Sequence, residues 1–420
     1  MVQSKAVYMT RITIMALGSR GDVQPYVALG RALAEVGYQV RVATFESFAG
    51  LVRGQGLEFH RVEGDAEALV QLAAGSGMNT RNPIKLMGAL RRSYGQMAEA
   101  YERAFLAENL RATDLILNQL PGAAYGRDLA EKLRIPHIAV SVIPLLPTRA
   151  FPIPLLAARS LGAWLNRASY TLAETLFWVL FRQPINRFRR KLGLSSAPLI
   201  FKPTSDPIIN GFSERVVPRP PDWGADVHLT GWWLLDESDW IPPAALTDWL
   251  AAGDPPVFIG FGSMIAPDPA GLTRTVIAAL GKAGRRGVLA SGWAKLGGDL
   301  PDTILSVDYV PYTWLFPRMA AMIHHGGSGT TGLALRSGVP SMVVPFAADQ
   351  PYWGERTRAL GVGVAPIRMQ ALTVDHLAAA ITELTTDTGI KARAAALGAA
   401  LRQEDGLGAA LGIIKGILPP

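Results

Sequence analysis

The 420-residue chain is long enough for two or three domains, and with 49% apolar and 18% charged residues it has the composition of a packed globular protein and not of a disordered one. It holds no cysteine, which excludes a disulfide scaffold, thiolate metal ligands and a cysteine nucleophile. The net charge of +7 comes from 41 basic and 34 acidic residues, and the whole excess falls in one stretch: residues 151–205 carry eight basic residues and a single acid, Glu174, leaving 33 of each sign elsewhere.

In chain order, the first segment shows no signal-peptide pattern, because its apolar run is short and no small-residue cleavage site follows. The expected location is therefore cytoplasmic. Residues 11–17 (RITIMAL) predict a buried strand, 18–22 (GSRGD) a tight loop, 25–37 a helix stopped by Gly37, and 38–44 the next strand. This strand–turn–helix–strand unit is the mark of a parallel sheet. Further strands are expected at 114–119 and 137–143. Leu161, Trp164, Leu165, Ala168, Leu172, Leu176 and Leu180 then recur at spacings of three and four, which predicts a helix. Its mixture of Trp, Phe and Arg suits a membrane interface, a lipophilic pocket or an ordinary core helix with a solvated basic end.

The Pro-, Trp- and Asp-rich stretch 218–244 reads as an interdomain linker. The second half restarts the pattern: a strand in PPVFIGFGSM, a helix over 271–284, a strand in RGVLASGW, then strand, Gly-rich turn and helix in MAAMIHHGGSGTTGLALRSG, and a strand leading to ADQ and a last helix over 351–361. No uninterrupted apolar run approaches the length of a spanning helix. The expected fold class is α/β, with two doubly wound parallel-sheet domains facing a central cleft: residues 1–217 for the acceptor side, 245–400 for the donor side, and a tail over 401–420 that packs back on the first domain.

Ligands bind in such folds beyond the carboxyl ends of the strands. Three strand-end loops carry reactive side chains. In His324-His325-Gly326-Gly327-Ser328-Gly329-Thr330, glycines allow close approach to helix N–H groups, which suits a phosphate. The same residues also suit a structural turn with hydroxyl caps. Asp349-Gln350 ends the next strand before Pro351; Asp349 is either a helix cap or, with Gln350, a pair aimed at sugar hydroxyls. Asp22 is either a cap or a general base at the edge of the first sheet, with Ser19 and Arg20 beside it to orient acceptor or phosphates. Neither a P-loop nor a GxGxxG fingerprint is present, and no clustered carboxylates call for a metal. Nucleic acid is not an expected partner, since no binding motif accompanies the basic stretch.

Three separated blocks, GSRGDVQPYVALGRALAEVGYQVRVAT, VPYTWLFPRMAAMIHHGGSGTTGLALRSGVPSMVVPF and ADQPYWGER, together resemble nucleotide-sugar-dependent glycosyltransferases of the GT-B fold. The likeness is greatest to sterol 3-β-glucosyltransferases and to bacterial antibiotic and glycolipid glycosyltransferases, and is least over about 145–215. The resemblance implies inverting, metal-independent transfer of a hexose, with Asp22 as catalytic base. It implies a diphosphate site at His324, His325, Gly327, Ser328, Gly329, Thr330 and Ser263, and sugar contacts from Asp349 and Gln350. It places the nucleotide base at the Val310 backbone, flanked by Trp293 and Tyr312; Tyr312 replaces a His that many relatives carry. The implied co-substrate is a UDP-sugar, most simply UDP-glucose, with no other cofactor. The implied acceptor is a lipophilic alcohol such as a sterol, terpenoid, glycolipid or polyketide. The basic, Trp-rich composition of 151–191, apart from the resemblance, suggests peripheral contact with an anionic membrane. A nucleotide-sugar epimerase or hydrolase of the same fold, and a non-catalytic membrane-associated binder of nucleotide sugar, are the alternatives.

Overall fold

A computed structural model describes residues 9–65, 95, 98–107, 110, 112–119, 122–156, 159–198, 206–235, 237, 239–292 and 296–418. Two wholly parallel sheets organise these residues. The first has the order β3-β2-β1-β4-β5-β6-β7, with β1 Arg11–Met15, β2 Gln39–Phe45, β3 Glu58–Val62, β4 Leu115–Gln119, β5 His137–Ser141, β6 Ile208–Asn210 and β7 Val227–Leu229. The second has the order β10-β9-β8-β11-β12, with β8 Val257–Gly260, β9 Gly287–Ala290, β10 Ile304–Val307, β11 Ala321–His324 and β12 Ser341–Val343. Each order reverses once, between β1 and β4 and between β8 and β11. Those reversals open the crevices in which doubly wound folds bind ligands.

The strands are short, apolar and buried on both faces, as parallel sheets covered by helices require. The helices are α1 Arg20–Glu35, α2 Ala49–Gly54, α3 Ala123–Leu133, α4 Ala163–Leu192, α5 Ala244–Ala251, α6 Pro269–Ala283, α7 Tyr312–Leu315, α8 Ser328–Ser337, α9 Gln350–Ala359, α10 Val374–Thr386, α11 Thr388–Arg402 and α12 Gly406–Ile417. Helix α1 starts five residues before the expected start at Pro25, so Asp22 lies in a helical first turn and not in a loop. Pro25 is the sixth residue of the helix, so its missing N–H forgoes the bond that Gly21 O would otherwise accept.

The stretch read as a linker contributes more than a connection. β7 lies inside it and pairs in parallel with β6, as Ile208 opposite Val227 and Asn210 opposite Leu229. Trp233, also within it, packs edge-on against Tyr26 at a centroid distance of 5.8 Å and donates Nε1–H to Thr230 Oγ1 at 3.0 Å. The final helix α12 packs against α1, and Ala410 and Ile414 enter the same core as Val23, Val27 and Trp233.

Helix α4 forms over 30 residues, but its core face differs from the stripe that its leucine spacing defines. Tyr170, Trp178, Phe181, Ile185 and Phe188 are buried. Leu161, just before the helix, and Trp164, Leu165, Leu172 and Val179 on it are exposed, Trp164 at 78%. Four of the segment's eight basic side chains are paired with acids from elsewhere in the chain. Arg187 and Lys191 both pair with Glu102, Arg189 with Asp128 and Glu131, and Arg159 with Glu355. The local excess of +7 is thus not a free positive patch. Among the described residues no helix is long and apolar enough to cross a membrane.

Because Trp233 is buried and its N–H is satisfied, Trp233→Ala should cost about 3–5 kcal/mol through the cavity it leaves. Urea unfolding monitored by circular dichroism checks this.

Candidate active site at the facing switch points

In the first domain the chain leaves β1 through Leu17 and Gly18. The Gln119 side chain fixes this exit: its Oε1 accepts from Leu17 N at 3.0 Å and its Nε2 donates back to Leu17 O, which continues the β1–β4 pairing beyond the strands. Gly18 has φ +138°, and a Cβ there would lie 2.5 Å from Asp22 Oδ2. Ser19 is the N-cap, and Asp22, three residues on, reaches back as in a capping box. Ser19 N–H and Oγ–H both donate to Asp22 Oδ2, at 2.8 and 2.9 Å.

Asp22 is half-buried, and its loss of hydration pushes its pKa above the usual 3.8, while the two Ser19 bonds pull it down. Burial raises the phenol pKa values of Tyr26 and Tyr101, and the charge of Asp22 adds to the rise. The Tyr101 hydroxyl is buried without a hydrogen-bond partner.

In the second domain, β11 runs straight into the Gly-rich turn. His324 ends the strand fully buried; its Nδ1 accepts from Gly326 N at 3.2 Å, and its Nε2 has no partner. His325 lies between two turns. A Cβ on Gly262 would meet its Cε1 at 2.9 Å, and one on Gly327 would meet its Nε2 at 2.6 Å. This brings the turn holding the half-buried Ser263 beside the His325 ring. Burial lowers the pKa of both imidazoles, to about 3 for His324 and about 4 for His325, and the neighbouring His325 adds to the fall at His324. Both are neutral at physiological pH and able to donate one hydrogen bond each.

Gly326 adopts φ +91°, and a Cβ there would strike Val343 at 2.4 Å. Helix α8 starts at Ser328, two residues before the expected Thr330, with Gly329 facing open space and Thr330 half-buried. Ser328 Oγ donates to Val142 O, at the end of β5 in the first domain, at 2.5 Å. That hydroxyl therefore ties the two domains together.

Asp349 is the N-cap of α9 by position, but its side chain does not cap. Oδ2 accepts from Trp353 Nε1 at 2.7 Å. Burial pushes the Asp349 pKa up to about 7, the Trp353 bond opposes the rise, and the charge of Asp22 across the cleft adds to it. The charge of one carboxylate thus bears on the other from the opposite domain. Gln350 braces its own turn: Oε1 accepts from Phe346 N and Ala347 N at 2.7 and 3.1 Å, and Nε2 reaches Met264 Sδ at 3.0 Å.

Val310 is buried after β10, and Tyr312 stacks on Phe316 and meets Phe258 edge-on, inside the domain's own aromatic cluster. Trp293 lies outside the described residues. Arg20 extends to Tyr309, next to Val310. Gln119, Trp353, Val142 and Tyr309 are the residues that sequence reasoning missed. Gln119, Val142 and Tyr309 act through hydrogen bonds to residues far along the chain, which leave no local pattern, whereas Trp353 bonds Asp349 one helical turn before it.

Each domain matches a family model separately. Residues 12–152 match the glycosyltransferase family 28 N-terminal domain, and residues 276–404 match the erythromycin biosynthesis protein CIII-like C-terminal domain. The chain is 36% identical to a sterol 3-beta-glucosyltransferase of Aspergillus fumigatus over 98% of its own length, and 38% identical to that of Emericella nidulans over 96%. It spans only 30% and 29% of those proteins. The crystal structure of CalG4, the calicheamicin glycosyltransferase, superposes with a TM-score of 0.71 at 19% identity, covering 98% of this chain and all of that one. The fold is GT-B, and each domain matches a model of a glycosyltransferase-type family. The likeness to sterol 3-beta-glucosyltransferases runs along nearly the whole length of this chain.

The Asp349 pKa of about 7 lies above its ordinary 3.8, so the folded state keeps a proton that the unfolded chain releases. The stability Asp349 contributes is full at low pH and is lost as pH rises from about 4 to about 7. The difference in unfolding free energy between wild type and Asp349→Asn should change across that window and level off above it. Urea titrations of both proteins at a series of pH values check this.

Proposed function

We propose that this protein is an inverting glycosyltransferase that moves a hexose from a nucleoside diphosphate sugar to a hydroxyl of a lipophilic acceptor. UDP-glucose is the donor suggested by the sterol 3-beta-glucosyltransferase relatives, and a sterol, terpenoid, glycolipid or polyketide alcohol is the acceptor class. The observation that carries the reading is the disposition of Asp22. It is a half-buried carboxylate at the switch point of one sheet, in the first turn of a helix that packs against α8 of the other domain, with one oxygen held by Ser19.

In the proposed reaction the second oxygen of Asp22 takes the proton of the acceptor hydroxyl as that oxygen attacks the anomeric carbon from the face opposite the diphosphate. The bond to the diphosphate breaks, and the leaving charge falls at the N-terminus of α8. There the backbone N–H groups of Ser328, Gly329 and Thr330, the helix dipole and a neutral imidazole stabilise it. His324 and His325 are assigned to the diphosphate with Gly327 and Ser263, Asp349 and Gln350 to the sugar, and the Val310 backbone, with Trp293 and Tyr312, to the base. No metal is assigned a part.

Peripheral membrane contact, which would deliver such an acceptor, is assigned to the exposed stripe of Leu161, Trp164, Leu165, Leu172 and Val179. Trp and Leu on one face of a helix that also bears Arg167, Arg182 and Arg190 fit the interface of a lipid bilayer. Attraction to anionic lipid is the smaller part of this assignment, because four of the segment's basic side chains are already engaged by Glu102, Asp128, Glu131 and Glu355.

Asp22→Asn should lower transfer by about 10²–10⁴-fold while donor still binds. Product mass from a panel of donors crossed with sterol, carotenoid, flavonoid and macrolide alcohols, with calorimetry for the donor, checks this; near-normal turnover would sink the assignment. Because the base must be ionised, wild-type kcat should fall as pH drops through the raised Asp22 pKa. Sedimentation with phosphatidylcholine vesicles should capture the wild type at high salt and lose the Trp164→Ser, Leu172→Ser double variant. Capture that requires anionic lipid and disappears at high salt would give charge the leading part.

A further inference from the structure

Arg20 is the first residue of α1, where the helix dipole disfavours a cation. Its guanidinium has another engagement. One Nη donates to Tyr309 Oη at 3.2 Å and lies 3.6 Å from Glu237 Oε1, and Cζ sits 5.0 Å from the Tyr309 ring centroid. Tyr309 Oη donates in turn to Glu237. Nε is held by Gln24 Oε1 at 3.0 Å. Three parts of the molecule meet here: the turn that holds Asp22, the segment that crosses between the domains, and the loop that leads from β10 into Val310.

The place of this clasp in the cleft is set by the order of the second sheet. Tyr309 follows β10 at one edge, whereas α9 follows β12 at the other. At the β12 edge the domains share an apolar join, where Phe212, Val216 and Trp232 pack with Leu335, Tyr352 and Trp353. Arg356 adds two hydrogen bonds to Val216 O, at 2.9 and 2.6 Å. Parting that join would expose buried aromatic surface, which is costly. The clasp at the β10 edge is polar and nearly half exposed, with Arg20 at 46% and Tyr309 at 49%, so it is the weaker of the two.

We propose that Arg20 is a positioning residue: the Arg20–Tyr309–Glu237 clasp closes the β10 edge of the cleft and sets the Asp22 turn against the loop that carries Val310. The molecule opens at this edge and pivots on the apolar join at the other. The effect on turnover rests on the reaction proposed above; the effect on closure does not.

The absence of cysteine makes the test direct, since Gly50→Cys and Thr303→Cys place one spin label on each domain at exposed positions. Electron–electron distance measurements on the full chain should give one short population in the background protein. Arg20→Ala, Glu237→Gln and Tyr309→Phe should each add a longer one, with unchanged thermal unfolding. The charge exchange Arg20→Glu with Glu237→Arg should restore the short population. In parallel, kcat should fall about tenfold in Arg20→Ala, as misplacement of a catalytic group predicts, and should partly recover in Arg20→Lys. Unchanged distances in Arg20→Ala overturn the clasp. If Asp22→Asn abolishes transfer while the clasp variants keep both distance and rate, the clasp fails and the reaction stands. If the wild type transfers sugar to no acceptor, the reaction fails and the distances alone decide the clasp.

Discussion

A half-buried carboxylate without a cationic partner governs the arrangement of the first domain. Among the described residues no Lys or Arg pairs with Asp22, and desolvation works against its charge. What holds it is local: two hydrogen bonds from Ser19 to one oxygen, at the start of a helix whose dipole favours a negative group. Those bonds need Ser19 at the N-cap and Asp22 at the third helical position, so α1 has to begin at Arg20. They also need the chain to turn sharply out of β1, so residue 18 has to be glycine and Gln119 has to pin Leu17. Fixing one oxygen this way leaves the other for the cleft. A cationic partner would have taken both oxygens and pulled the pKa far down, leaving a poorer base.

The same reasoning carries across the cleft. Asp349 is more deeply buried and likewise uncompensated by a cation, held by the indole N–H of Trp353, and it feels the charge of Asp22. Two such carboxylates remain opposed only if the domains cannot relax apart. The apolar join around Trp353 supplies that resistance and positions Asp349 at the same time, since one indole serves both as core filler and as hydrogen-bond donor. Ser328, bonded to Val142 O, adds a tie in the middle of the cleft, and Arg20 adds one at the far edge. Domain packing and site geometry are therefore not separable here.

Much of this architecture was legible in the sequence because it is written in local periodicity. The strand–turn–helix units, the Gly-rich turn after β11 and the reactive loops at strand ends all follow from contiguous patterns, and the GT-B resemblance rested on the same blocks. What was not legible depends on partners far along the chain. β7 is only three residues long and sits among prolines and tryptophans, so nothing local marks it as a strand; pairing with β6 makes it one. The leucine spacing in α4 is genuine helical spacing, yet the buried face is the aromatic one, because Tyr101, Phe105 and Tyr125 wait on that side. Ser328 and Gln350 have the residue types of ligand-binding groups, and the structure shows each already engaged with protein backbone.

The basic stretch makes the point most sharply, because counting charges by position along the chain treats neighbours in sequence as neighbours in space. Residues 151–205 carry the whole of the chain's excess, but Glu102, Asp128, Glu131 and Glu355 come from outside that window and meet Arg187, Lys191, Arg189 and Arg159 within ion-pair distance. Arg189 is itself buried, and a buried guanidinium must be paired, so Asp128 and Glu131 are there by physical necessity. The long-range field of the segment is correspondingly weaker than its formal charge. What the helix presents instead is an apolar stripe with Trp164 standing furthest into solvent. A surface of that kind is drawn to an interface by the area it removes from water, a force that salt does not screen and that acts only on contact. The feature that first drew attention as charge is, in three dimensions, mainly a hydrophobic one.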